Sequence, residues 1–156
     1  MSKRNAWGLA AWLGVVLIGW GIAALGTDTG SQWYRELEKP AFQPPGWVFG
    51  PVWTLLYLFM AVAAWDIWRR AGWSQGRWAL IAFLVQLGLN ALWSILFFTM
   101  HMPGPAFVEI VILWVAILVT TVLFFRISTL AGALLLPYLA WVGYAAAINF
   151  AIWQMN

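Results

Sequence analysis

The sequence predicts an all-α protein, an integral membrane bundle of five transmembrane helices. Of its 156 residues, 64% are hydrophobic and only 8% are charged, whereas ordinary soluble domains carry roughly 25% charged residues. Five apolar runs each approach the ~20 residues that are needed to cross about 30 Å of hydrocarbon. Because these runs and their connections use almost the whole chain, we expect a single transmembrane domain and no soluble domain.

The predicted helices cover, in chain order, about 6–26, 47–68, 78–99, 105–125 and 129–153. Their connections are a long polar loop at 27–46, a short basic loop at 69–77, and tight turns near 100–104 and 126–128. Six cations fall on one side of this arrangement, namely Lys3, Arg4, Arg69, Arg70, Arg77 and Arg126. Arg35 and Lys39 fall on the other side. The positive-inside rule describes insertion into a membrane such as the bacterial cell membrane, and there it predicts a cytoplasmic amino terminus with the 27–46 loop outside.

The first two helices each present one distinctive face. The first carries small residues at intervals of four, a spacing that lets a neighbouring helix or a second copy of the chain approach closely: Ala6, Ala10 and Gly14, then Gly19 and Ala23. In the second, Trp53, Tyr57 and Met60 fall on a common face. Pro51 occupies its first turns, where a missing backbone N–H costs least.

The third helix carries a polar stripe. Gln86, Asn90 and Ser94 follow one another at intervals of four and therefore share a face, with Trp93 beside them. Two interpretations stay open. Such side chains often bond neighbouring helices together, at about 0.6 kcal/mol each, but they could instead anchor a ligand in an internal cavity.

The fifth helix places Trp141, Ala145 and Asn149 on one face, and Pro137 predicts a kink or break near its start. Trp141 and Trp53 lie further inward than the tryptophans expected at the membrane interfaces. An interior indole needs an acceptor for its N–H. These two tryptophans are therefore candidates for a cavity wall.

Several kinds of chemistry have little support. The chain has no cysteine, which excludes disulfides and thiolate metal sites, and the lone His101 predicts no metal centre. A net charge of +3 is too small and scattered to predict nucleic acid binding.

Asp66 precedes Arg69 and Arg70 at helical spacing, which predicts a surface ion pair. Glu109 falls in the opening turns of the fourth helix, where the helix dipole favours a carboxylate.

A succession of motifs runs from the 27–46 loop to the fifth helix. The loop and second helix carry Trp33-Tyr34, Lys39-Pro40, Phe42, Pro44-Pro45-Gly46-Trp47, Phe49-Gly50-Pro51-Val52-Trp53-Thr54 and Tyr57. The later helices carry Gln86, Asn90, Trp93-Ser94, Phe97-Phe98, Pro137-Tyr138, Trp141, Ala145 and Asn149. In order and position this succession resembles the TspO/translocator protein family, also called tryptophan-rich sensory proteins or peripheral-type benzodiazepine receptors.

The resemblance implies a commonly dimeric five-helix bundle that binds tetrapyrroles such as protoporphyrin IX and haem as ligands, with no required cofactor. It also implies binding of sterols such as cholesterol and of benzodiazepine or isoquinoline carboxamide drugs. The residues that it and the helix patterns assign to the ligand site are Trp53, Asn90, Trp141, Tyr34, Tyr57, Trp93, Gln86, Ser94 and Ala145. Animal members end with a sterol motif of Tyr followed by Lys or Arg. Residues 147–154 lack both, which favours a bacterial tetrapyrrole binder.

Prolines in the 27–46 loop predict a stiff lid over the mouth of the bundle. Proline fixes φ near −65° and restricts the residue before it, so a proline-rich strap loses little entropy when a ligand orders it. Cations in the lid are expected to meet the propionates of a porphyrin. The predicted lid and carboxylate contacts are Arg35, Lys39, Pro44, Pro45 and Trp47.

Three functions follow from the sequence. The leading one is a tetrapyrrole receptor or sensor, with transport of the ligand across the membrane left open. The second is a light-dependent porphyrin-degrading enzyme in which Trp53 and Trp141 supply electrons, although no acid–base pair is present to support it. The third is a small efflux transporter, against which the lack of a mid-membrane carboxylate counts.

Overall fold

The computed structural model describes residues 1–156 and is helical throughout, with no β-strand. Its helices are α1 (Lys3–Gly26), α2 (Gln32–Glu36), α3 (Phe49–Ser94), α4 (Pro103–Phe125) and α5 (Thr129–Met155). A 3₁₀ turn, Gly46–Val48, leads into α3, and a π-helical turn, Ile95–Thr99, extends it. Four segments are long and apolar enough to cross a membrane, and the longest of them runs for 54 residues over Gly46–Thr99.

The long helix α3 folds back on itself at Gly72. A straight helix of its 46 residues would extend about 70 Å, yet the Tyr57 hydroxyl lies 2.8 Å from Oδ1 of Asn90. Met60 and Gln86 also meet, with 3.7 Å between Sδ and Nε2. Both pairs are centred on the same part of the sequence, so residues 49–71 and 73–94 form two antiparallel arms. The fold therefore has five long helical segments, as the sequence predicted.

The predicted basic loop at 69–77 is wrong. Within α3 only Gly72 departs from helical geometry, with φ 59° and ψ −167°. That region of backbone space is essentially restricted to glycine. A single residue thus makes the reversal for which the basic composition had predicted a loop.

The core lies where both arms of α3 meet α4 and α5. Met60, Ala64 and Ile67 of the first arm are completely buried, as are Leu80 and Phe83 of the second. Helix α5 runs along α4, and α1 runs along α3. Gly8 and Gly19 of α1 face Trp68 and Leu87 so closely that an added Cβ would lie 2.1 Å and 2.8 Å from these side chains. Gly8 and Gly19 thus serve close helix packing within the chain. In the predicted row of small residues, Ala6 and Ala10 are exposed and Gly14 has open space beside it.

Helix α5 is continuous from end to end. It passes through Pro137 without interruption. Of the predicted kink or break at that residue, the break is therefore wrong and the kink stays a prediction. Ser128 caps its first turn by accepting a hydrogen bond from the Ala131 backbone N–H at 3.2 Å.

Asp66 ties the first arm of α3 to the start of α5. Its carboxylate accepts hydrogen bonds from Arg69 at 2.7 Å, from Arg70 at 2.9 Å and from the Ser128 hydroxyl at 2.5 Å. The Asp66 side chain is 0% exposed. The predicted surface ion pair is therefore wrong in its location. The ion pair is present, but its carboxylate is buried against the cap of α5.

Candidate ligand cavity

A cavity of about 370 Å³ lies at the end of the bundle that the 27–46 loop covers. Its volume is within the ~300–1,000 Å³ that is usual for small-molecule sites. α1, both arms of α3, α5 and the 27–46 loop all contribute to its wall. The lining residues are Trp20, Ala23, Ala24, Thr27, Thr29, Tyr34, Gly46, Phe49, Gly50, Trp53, Thr54, Tyr57, Asn90, Trp93, Ser94, Phe98, Trp141 and Ala145.

The structure brings most of the predicted ligand-site residues together around this one cavity. Those that line it are Tyr34, Trp53, Tyr57, Asn90, Trp93, Ser94, Trp141 and Ala145. Gln86 does not line it and lies buried behind Asn90. The predicted lid residues Arg35, Lys39, Pro44, Pro45 and Trp47 are also outside the lining. Whether any of these residues binds a ligand stays a prediction.

Aromatic rings make up much of the cavity wall, in two groups. Trp20 stacks on Tyr57 with ring centroids 5.7 Å apart and planes at 26°, and Trp53 contacts the same tyrosine at 5.7 Å. Across the cavity Phe49 meets Trp141 edge-on at 5.8 Å. Offset and edge-to-face arrangements of this kind are the favoured ones for aromatic pairs. The wall therefore offers ring faces to a flat apolar molecule.

Trp20 was missed in the sequence analysis. The signal for it was present, because Val16, Ala23 and Gly26 lie on the same side of α1 at helical spacing and are all buried. Trp20 falls within this series. The same face of α1 carries Ala23, which was assigned to close helix packing, and Trp20, which lines the cavity.

Asn90 supplies a polar floor. Its Oδ1 accepts a hydrogen bond from the Tyr57 hydroxyl at 2.8 Å, and its Nδ2 donates to the Tyr138 hydroxyl at 2.7 Å. Tyr138 donates in turn to Oε1 of Gln86 at 2.8 Å. A side-chain amide can make up to about four hydrogen bonds, so one N–H and one oxygen lone pair of Asn90 have no partner in this chain. The polar stripe thus bonds helices together while Asn90 also borders the cavity.

The two remaining indoles on the cavity wall differ in their partners. Trp93 donates from Nε1 to Oδ1 of Asn149 at 2.9 Å, and Asn149 donates to the carbonyl of Pro103 at 2.8 Å. This chain of bonds links the second arm of α3 to α5 and α4. The indole N–H of Trp141 is buried and has no acceptor. It is therefore an available donor at the edge of the cavity.

The lid is fastened on the side of α5. The hydroxyl of Tyr144 donates to the backbone carbonyl of Phe42. Asn156 bonds the backbone of Glu38 twice, accepting from its N–H at 2.9 Å and donating to its carbonyl at 3.0 Å. The lid also contains α2, a short helix that the sequence analysis did not predict, capped by Ser31.

The two lid cations have different environments. The ammonium of Lys39 donates to the carbonyls of Tyr34 at 2.6 Å and Leu37 at 3.1 Å, and lies 4.6 Å from the centre of the Tyr34 ring. Its charge is thus used inside the lid, at the end of α2. Arg35 is exposed. Burial raises the pKa of the Tyr34 hydroxyl, so this phenol stays neutral and donates or accepts as such.

One carboxyl group is buried without partners. Glu109 of α4 is 7% exposed and neither of its oxygens has a hydrogen bond. It does not line the cavity. The sequence analysis placed it at the start of the helix but did not foresee its burial. No group of three or more His, Cys, Asp or Glu residues is arranged to hold a metal ion.

Together these features define a multi-pass helical membrane protein with an aromatic internal cavity under a fastened loop. The chain belongs to the TspO/MBR family, whose pattern it matches over residues 10–154, and the family resemblance seen in the motifs is confirmed. It is 41% identical over 148 residues to "Tryptophan-rich protein TspO" of Archaeoglobus fulgidus, with 95% of each chain covered. It is 36% identical over 129 residues to "Translocator protein" of Homo sapiens, covering 81% of this chain and 76% of the relative. With "Tryptophan-rich sensory protein" of Cereibacter sphaeroides it shares 37% identity over 125 residues, covering 80% and 77%.

Proposed function

We propose that this protein is a membrane receptor or sensor that crosses the bilayer with its five long helical segments and binds tetrapyrroles, such as protoporphyrin IX or haem. The observation that carries the proposal is the make-up of the cavity. Ring faces of Trp20, Tyr57 and Trp53 stand beside a single fixed amide, Asn90, and an unpaired indole N–H, Trp141. A flat apolar ring system with a few acceptor atoms matches such a site.

Each part of the cavity has a role in the proposed complex. Ring contacts contribute about 0.5–1.5 kcal/mol per aromatic pair beyond burial. The N–H groups of Asn90 and Trp141 would meet acceptor atoms of the ligand, which removes the cost of leaving them unpaired. Arg35, whose side chain is exposed, is the better candidate for a propionate contact, because Lys39 already donates to two carbonyls of the lid.

The names of the relatives support the general role. One is called a sensory protein and another a translocator protein, so sensing and carriage of the ligand both remain part of the proposal. Sterols and isoquinoline carboxamides are further candidate ligands of the same cavity. We also propose a cytoplasmic amino terminus with the lid outside the cell, on the cation distribution of the sequence. A homodimer is part of the proposal because the family resemblance implies it.

Quenching of tryptophan fluorescence by protoporphyrin IX tests the proposal. The Trp53→Phe and Trp141→Phe variants should each bind about 2- to 10-fold more weakly, the range that corresponds to about 0.5–1.5 kcal/mol. Trp73→Phe is the matched control, because Trp73 is exposed at the far end of the bundle. If both cavity variants bind like the control, the tetrapyrrole site is not in this cavity.

A porphyrin-degrading enzyme is the second candidate function. It is supported by a chain of aromatic contacts that starts at the cavity, in which Trp53 meets Tyr57 at 5.7 Å and Tyr138 at 6.3 Å. Such a chain could carry an electron to a photoexcited porphyrin. Loss of protoporphyrin absorbance that requires light and disappears in Trp53→Phe or Trp141→Phe would favour this function. Binding without turnover under the same illumination would favour the receptor.

A further inference from the structure

We propose that ligands enter and leave the cavity sideways from the lipid bilayer, through a gap between the end of α1 and the start of α3. This inference rests on the proposed function, since it concerns the route to the same cavity. The gap is bordered by Ala24 and Thr27 on one side and by Gly50 and Thr54 on the other. We call these four residues the lateral gap.

Exposure of the cavity lining is confined to one side. The exposed members of the lining are Ala24, Thr27, Thr29, Gly46, Gly50 and Thr54. All of them belong to the end of α1 and the residues just after it, or to the turn and helix that begin α3. Every lining residue from the second arm of α3 and from α5 is buried or half-buried. The cavity therefore opens between α1 and the first arm.

The packing of α1 explains why the gap exists. At its end, α1 lies against the π-helical turn that extends the second arm. An added Cβ on Gly26 would be 3.2 Å from the Ile95 side chain, and the Thr99 hydroxyl donates to the Gly26 carbonyl at 3.0 Å. Further down, the stacked pair of Trp20 and Tyr57 closes the seam with the first arm. Above that pair the seam stays open. An added Cβ on Gly50 would meet nothing within 4 Å.

The side chains at the lateral gap suit the passage of an apolar ligand. The hydroxyl of Thr27 donates back to the carbonyl of Ala23 at 2.7 Å, and that of Thr54 to Gly50 at 2.8 Å. Neither hydroxyl therefore offers its proton to the opening. Large apolar side chains beside the gap face outward, with Leu25 91% and Leu55 51% exposed. Such a surface belongs in hydrocarbon, so the gap opens to lipid and not to water.

The other side of the cavity is held shut. Tyr144 and Asn156 fasten the lid to α5 through Phe42 and Glu38. No comparable bond joins α1 to the first arm across the lateral gap. A ligand dissolved in the bilayer thus meets an opening that is already present, whereas a ligand in water would first have to break the fastenings of the lid.

Bulky substitutions in the gap test the route. In nanodiscs, Ala24→Phe and Gly50→Phe should slow both association and dissociation of membrane-dissolved protoporphyrin IX by about tenfold, equivalent to about 1.4 kcal/mol on the barrier. Because Ala24 and Gly50 also line the cavity, some loss of affinity is expected as well. The passage is supported if association is slowed by more than the dissociation constant rises, and it is contradicted if association keeps its wild-type rate. Gly21→Phe is the control, since Gly21 is exposed on the same helix, has open space around it and does not line the cavity.

A readout without porphyrin separates the route from the function. The chain has no cysteine, so Ser94→Cys places a single thiol on the cavity lining. Its labelling by pyrene maleimide dissolved in the nanodisc lipid should be slowed about tenfold by Ala24→Phe or Gly50→Phe, and not by Gly21→Phe. Equal labelling rates would overturn the lateral route whether or not porphyrin binds. Faster labelling in Asn156→Ala or Tyr144→Phe, with no effect of the gap variants, would assign entry to the lid.

Discussion

Asn90 donates a 2.7 Å hydrogen bond to the hydroxyl of Tyr138, a residue that does not line the cavity. Tyr138 is 0% exposed, and its hydroxyl donates a hydrogen bond to Oε1 of Gln86 at 2.8 Å. The amide on the cavity floor is thus oriented by two residues behind it, on α5 and on the second arm of α3. Its orientation is a property of the buried network and does not depend on a ligand.

Removing the Tyr138 hydroxyl should therefore affect both stability and binding. In Tyr138→Phe, Asn90 and Gln86 each lose a partner, at an expected cost of about 1–2 kcal/mol in unfolding free energy. Affinity for protoporphyrin IX should fall several-fold, because the Asn90 amide is free to turn. Tyr57→Phe removes only one bond from the same amide and should cost less. Equal stability of Tyr138→Phe and the wild type would show that the network does not hold the floor.

Replacing Asp66 should loosen the end of the bundle opposite the cavity. Asp66→Asn leaves Arg69 and Arg70 without their carboxylate and weakens the contact with Ser128, which caps α5. Breaking a buried ion pair typically costs about 3–5 kcal/mol. Because both arginines are partly exposed, at 33% and 48%, we expect about 2 kcal/mol in a thermal or denaturant unfolding experiment.

Glu36→Gln is the control for that experiment, because Glu36 is exposed in the lid and bonds only Gln32. It should leave the unfolding transition unchanged. A loss of stability equal to that of Asp66→Asn would mean that burial of the carboxylate is not the cause.

The two lid cations should respond differently to the charge of the ligand. Lys39→Ala removes the cap on the Tyr34 and Leu37 carbonyls, so it should weaken binding of protoporphyrin IX and of its dimethyl ester alike. Arg35→Ala should weaken binding of the diacid only, by about 2- to 5-fold for an exposed ion pair. Fluorescence titration with both ligands measures the difference. If Lys39→Ala affects the diacid alone, its ammonium leaves the carbonyls when the ligand binds.

Close packing of α1 predicts opposite outcomes for two glycines on that helix. A Cβ on Gly8 would lie 2.1 Å from the Trp68 ring, so Gly8→Ala should displace the ring and cost about 1–3 kcal/mol. Gly14 has nothing within 4 Å, so Gly14→Ala should be neutral or slightly stabilising. Unfolding in one detergent compares the two. Destabilisation by both would point to a second copy of the chain packing on the Gly14 side.

Most of the bundle could be predicted because each long helix corresponds to an apolar run of transmembrane length. The same is true of the cavity face on each helix, since a spacing of four places Asn90 and Ser94, or Trp141 and Ala145, on one side. These patterns are local, and a single helix is enough to carry them. Family motifs then indicated which of the faces belong together.

What the sequence did not reveal depends on contacts between distant segments. Asp66 has the spacing of a surface ion pair, and only the approach of Ser128 from another helix buries it. Lys39 has the charge for a propionate contact, but the fold of the lid brings two carbonyls to its ammonium. Glu109 has a favourable place near the start of its own helix, but it is buried and both of its carboxyl oxygens lack a hydrogen-bond partner. In each case the position of the residue along the chain is as predicted, and contacts from other segments determine the environment of its side chain.

Because Gly72 alone makes the reversal, no loop separates the two arms of α3. Both neighbours of Gly72 are helical, and the hydrogen bond from Tyr57 to Asn90 joins the two arms. α1 packs on both arms through Gly8, Gly19 and Trp20, so it belongs to the same unit. Ligands of different size would then meet a cavity wall of constant shape on the side of α3.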